Sequence, residues 1–154
     1  MVGLRRRHLV AQLDPAASIA VSATATLTAE RHANRLILLQ SNGNTAQTYT
    51  LPLATGSGNK YKFFVQTTNT SSYVITVSGS DELNGNLQGG DDSDENTSPG
   101  WLALAADNFT TFTTGTVIQG ELGSWFEFTD AASGVWFVHG ILVQSGNSEV
   151  TPFS

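Results

Sequence analysis

Apolar residues recur at every second position through most of this chain, and a period of two suits strands that bury one face. In SIAVSATATLT, residues 18–28, Ile19, Val21, Ala23, Ala25 and Leu27 fall on one side, while Ser22, Thr24, Thr26 and Thr28 fall on the other. That alternation predicts a half-buried strand. RLILLQ at 35–40 is apolar on both faces and predicts a central strand, closed by the turn signal SNGN. Three successive strands are expected next, presenting Tyr49, Leu51 and Leu53, then Tyr61, Phe63 and Val65, then Tyr73, Ile75 and Val77. SWFEFTD and VWFVHGILVQ flank AASG and predict a hairpin. Its first strand shows Phe126 and Phe128 on one face; its second shows Val135, Phe137, Ile141 and Val143.

Many short strands joined by Gly, Asn, Ser and Thr turns predict an all-β fold, an antiparallel β-sandwich or jelly-roll-like barrel with an extended N-terminal arm. Residues 1–17 form the arm and 18–154 a single β-sandwich domain. NGNLQGGDDSDENTSPG, residues 84–100, reads as one long loop. At 154 residues with 40% hydrophobic content the chain can bury a real core. It has no cysteine, so neither disulfides nor thiolate chemistry contribute.

Charge is unevenly distributed. All 7 Lys and Arg precede residue 63, and most of the 13 acids follow it. A net charge of −6 makes the body repel nucleic acid, so neither DNA nor RNA is an expected partner. No stretch approaches the ~20 apolar residues of a membrane span, and no membrane partner is expected. The exception is MVGLRRRHLVAQLDPAAS, where Arg5, Arg6, Arg7 and His8 form a compact basic arm suited to an acidic protein surface. As a signal peptide it fails, because His8, Gln12, Asp14 and Pro15 interrupt the apolar run.

Motifs for catalysis or cofactors do not assemble. Gly56-Ser57-Gly58-Asn59-Lys60 lacks the spacing and the hydroxyl after lysine that a phosphate loop needs, and it leads into a strand. A hairpin turn that uses glycine's positive φ is the expectation there, with Lys60 and Lys62 on an outward side. Asp92, Asp94 and Asn96 match the first ligand positions of a calcium loop. Thr97 and Ala103 then stand where glycine and a bidentate glutamate are required. His8, His32 and His139 show no zinc spacing, and His139 reads as a partly buried, hydrogen-bonded strand residue. Glu121 and Glu127 default to surface carboxylates rather than a glycosidase pair. No enzyme, metal or cofactor is expected.

Trp125 and Trp136 lie opposite the faces that carry Phe126, Phe128 and Phe137, so one sheet is apolar on both sides. Two-sided apolarity predicts an oligomer interface built from Trp125, Phe126, Phe128, Trp136 and Phe137. Trp101 with Asp107 and Asn108 offers the alternative, a sugar-stacking shelf.

YTLPLATGSGNKYKFFVQTT, GELGSWFEFTDAASGVWFVHG and the ending VTPFS together resemble head decoration, or cement, proteins of tailed bacteriophages. The resemblance runs from about Glu30 to Ser154. It implies a virion structural protein on the outer surface of the capsid, a homotrimer that bridges and clamps the major capsid protein, with Arg5, Arg6, Arg7 and His8 as capsid-binding residues. The competing class is a carbohydrate-binding or adhesin-like module of a phage tail or fibre.

Overall fold

Alternating burial along the strands sorts the chain into two sheets. The computed structural model describes residues 17–41, 43, 45–91, 98–145 and 150–154. The elements in chain order are β1 (Ile19–Val21), β2 (Ala25–Thr26), α1 (Ala29–His32), β3 (Arg35–Leu39), β4 (Gln47–Thr50), β5 (Lys60–Val65) and β6 (Tyr73–Thr76). They continue with β7 (Glu82–Asp91), β8 (Gly100–Ala103), a 3₁₀ turn at Ala105–Asp107, β9 (Thr111–Thr114), β10 (Trp125–Ala132) and β11 (Val135–Gln144). Among the described residues, a 7-stranded sheet has the order β1-β3-β5-β10-β11-β7-β8 and a 4-stranded sheet the order β2-β4-β6-β9. The expected all-β, sandwich-like fold is present.

The pairing is mixed rather than purely antiparallel. From β1 to β6 successive strands alternate between the sheets, so each return to a sheet points the chain the same way. β1, β3 and β5 therefore pair in parallel in one layer, and β2, β4 and β6 in parallel in the other. This crossing also divides the expected strand at 18–28 into β1 and β2, on different sheets. The hairpin predicted between Tyr49 and Tyr61 becomes a connection between layers, because β4 and β5 do not share a sheet. A period of two specifies which face is buried but not which strand is the neighbour.

The largest departure is at 84–100. Glu82–Asp91 is a ten-residue strand, paired in parallel with β11 along its length from Val135↔Glu82 to Gln144↔Asp91. Gly85 and Gly89 look like turn punctuation but serve close packing. A Cβ at Gly85, where φ is +146°, would sit 1.9 Å from the carbonyl oxygen of Val138. Glycine at this point permits an approach that any side chain would prevent.

The core is aromatic and joins the two layers. Phe112 of the smaller sheet packs 4.5 Å from Phe126 and 5.5 Å from Phe128, measured between ring centroids, and both partners belong to the larger sheet. Phe63 stacks on Phe126, and Tyr61 meets Trp136 edge-on. Such pairs add about 0.5–1.5 kcal/mol each beyond the area they bury. The end of the chain belongs to this core too: Phe153 bridges Phe112 and stacks on Phe109.

Candidate functional site

The outward side of the larger sheet is the candidate site, because the register assembles there a row that alternation alone does not reveal. Leu38, Phe64, Trp125 and Ile141 lie side by side across β3, β5, β10 and β11. The neighbouring row is Leu36, Lys62, Glu127 and His139. Thr129 aligns with Lys60 and Phe137 one step further on. An apolar row therefore lies beside a charged one on a face that a two-layer sandwich usually leaves polar.

Electrostatics tie the charged row together. The Nζ of Lys60 donates to Glu127 Oε1 at 2.9 Å, and His139 Nε2 lies 3.4 Å from the same oxygen. Burial alone would raise the Glu127 carboxyl, but hydrogen bonds from Lys60 and His139, with their charges, bring it below its ordinary value. A glycosidase general acid needs the opposite shift. Lys62 Nζ lies 5.0 Å from the centre of the Trp125 ring, in cation–π contact. His139 stacks on Phe137 and meets Trp125 edge-on, so the partly buried, hydrogen-bonded strand histidine is found. Beside these groups, Asn34, Arg35, Leu36, Lys60, Lys62 and Glu127 line an open cavity of about 250 Å³.

Of the five predicted interface residues, two occupy this face. Trp125 is half-buried and Phe137 is 39% exposed. Phe126, Phe128 and Trp136 are fully buried within the single chain and form its core, which corrects their assignment to an interface. On β11 the inward set is Trp136, Val138 and Leu142. The outward set is Val135, Phe137, His139, Ile141 and Val143, an apolar stripe interrupted by one histidine. The sequence shows two apolar faces without saying which one meets the second sheet.

The glycine-rich loop does hold an anion, and the anion is internal. The Asp130 carboxylate accepts from the backbone N–H groups of Thr55 (2.8 Å), Gly56 (2.6 Å) and Ser57 (3.1 Å). It also accepts from the hydroxyls of Thr55 (2.9 Å) and Ser57 (2.6 Å). Burial works to raise this carboxyl, but the Ser57, Gly56 and Thr55 donors bring it down to about 2. Gly56 and Gly58 have φ of +78° and +74°, the positive values expected of the turn, although the turn joins two sheets. Sequence reading missed this clamp because Asp130 lies more than 70 residues from its donors.

Other predicted residues are placed as follows. Trp101 is half-buried on β8 and packs against the core. Asp107 Oδ2 accepts from the Leu104 N–H at 2.9 Å, and the Asn108 side chain donates to Ala106, so both polar partners of the proposed sugar shelf serve the 3₁₀ turn. His32 is buried, and desolvation lowers it below its ordinary value despite a hydrogen bond with Thr28. Arg5, Arg6, Arg7 and His8 lie outside the described residues, as do Asp92, Asp94 and Asn96. Among the described residues no group of three or more His, Cys, Asp or Glu is placed to hold a metal ion.

No family model matches the chain, and neither a curated protein nor a solved structure is similar to it.

Proposed function

We propose that this protein is a non-enzymatic structural component of a phage virion, which associates with itself and binds the outside of the capsid, bridging major capsid proteins. The observation that carries the reading is the outward face of the larger sheet, where Trp125, Phe137 and Ile141 stand exposed or half-exposed on a scaffold with a complete core of its own. Aromatic side chains on a rigid sheet lose little conformational freedom on docking, which suits a permanent contact. The capsid itself enters through the resemblance of residues 30–154 to decoration proteins. The basic arm with Arg5, Arg6, Arg7 and His8 is the proposed capsid contact. Three such arms on one trimer would bind with an avidity roughly 10²–10⁴ above that of one arm.

The test is co-sedimentation of the full chain, and of a chain beginning at Ala16, with undecorated mature capsids of its source virus. Saturation at a fixed stoichiometry by the full chain alone supports the reading. If neither chain binds, the capsid role is wrong, and glycan-array binding becomes the next measurement.

A further inference from the structure

The larger sheet is electrically polarised from one edge to the other. All four cations among the described residues, Arg31, Arg35, Lys60 and Lys62, lie on α1, β3 and β5. Three of them line the 250 Å³ cavity against the single carboxylate of Glu127, which leaves it net positive. At the opposite edge, β8 and the turn after it carry no cation. There Leu102 is 64% exposed and Leu104 57%, the former the most exposed large apolar side chain among the described residues. Leu104 follows in extended backbone two positions after Leu102, so both point the same way. Asp107, exposed, closes the turn beside them.

These two regions are complementary and cannot meet within one molecule. From β3 to β8 there are five inter-strand steps, or about 24 Å at ~4.8 Å per step. A two-fold contact that places the cavity against its own copy would set Arg35, Lys60 and Lys62 against their equivalents, and like charges in apposition oppose association. A polyanion is a poor occupant as well, because it meets the field of a chain of net charge −6. The cavity is also smaller than the roughly 300–1,000 Å³ of most small-molecule sites, so it suits side chains of a partner.

We infer that the β8 edge of one copy docks on the β3–β5 face of the next, with Leu102 and Leu104 against Leu36 and Leu38, and Asp107 toward the cluster of Arg35, Lys60 and Lys62. This inference rests on the self-association proposed above and supplies its geometry. A head-to-tail contact uses two different surfaces, so it closes into a ring when the rotation permits, as a trimer requires. Glu127 holds Lys60 in place and tempers the cavity, and one added carboxylate lowers its remaining positive charge further.

Sedimentation velocity over a concentration series tests this with charge exchange. Arg35→Glu with Lys62→Glu, and separately Asp107→Lys, should each weaken association at least about tenfold. All three changes in one chain should restore it, because the proposed contact sets these positions against each other across the interface. Leu102→Ser should dissociate the oligomer without touching a charge, and Asp107→Asn, which keeps an acceptor for the Leu104 N–H, should weaken it while the turn stays intact. Circular dichroism and melting of every variant report folding. A wild-type chain that stays monomeric at all concentrations overturns self-association altogether. An oligomer indifferent to both charge-reversed variants, or not restored by the combination, overturns this contact alone and leaves self-association standing.

Discussion

The Asp130 carboxylate and the Ser57 hydroxyl lie 2.6 Å apart, and this bond is one of five through which residues 55–57 enclose a buried acid. The loop that crosses between the layers is thereby fastened to the end of β10, next to the bulge between Asp130 and Ala132. Backbone bonds complete the fastening, from the Gly58 N–H to the Asp130 carbonyl and from the Asp130 N–H to the Asn59 carbonyl.

Asp130→Ala should lower stability by about 2–4 kcal/mol, because hydrogen bonds to a charged acceptor contribute about 1.5–3 kcal/mol each and exposed donors regain part of this from water. Urea unfolding reads the change. A loss below about 0.5 kcal/mol would show that the clamp adds no net stability.

The same carboxylate predicts an acid transition. Its folded value of about 2 lies below the ~3.9 of an unfolded aspartate, so its contribution is full above pH ~4 and fades as pH falls toward 2. The amount at stake is about 2–3 kcal/mol. Stability measured from pH 5 to pH 2 should fall more steeply for the wild type than for Asp130→Asn. Parallel curves would refute the assignment.

Gly85→Ala should prevent β7 from pairing with β11 and cost at least about 3 kcal/mol, since the new methyl meets the Val138 backbone at 1.9 Å. Gly58→Ala, at positive φ but with open space around it, should cost only about 1 kcal/mol. Equal losses in thermal or urea unfolding would contradict the packing role of Gly85.

Phe112→Ala removes the ring that stands between the sheets and should cost about 3–5 kcal/mol. Chemical denaturation checks the figure, and a cost near 1 kcal/mol would mean that the layers are held together elsewhere.

Phe137→Ser and Trp125→Ala should change monomer stability by less than about 1 kcal/mol, because both side chains lie on the outward face. Self-association should weaken less than in Leu102→Ser, because Trp125 and Phe137 on β10 and β11 flank the proposed β3–β5 contact rather than form its centre. Light scattering set beside melting curves separates the two effects, and unaltered association would remove this face from the interface.

Alternation was enough to establish strands at 60–65, 73–76 and along the 125–144 hairpin, because one buried face demands it whatever lies beside the strand, and a short run apolar on both faces marked the strand at 35–39. The outward placing of Lys60 and Lys62, and the positive φ of Gly56 and Gly58, were legible for the same local reason. Strand partners were not. The alternation of β1–β6 between two layers, and the pairing of a glycine-rich segment with β11, depend on contacts between residues distant in sequence that leave no periodic trace. The site divides in the same way. Composition and spacing announced a hairpin apolar on both faces, whereas only the position of the second sheet decided that Phe126, Phe128 and Trp136 are core and that Trp125 and Phe137 remain outside. Burial is a property of what covers a face, and that cover comes from elsewhere in the chain.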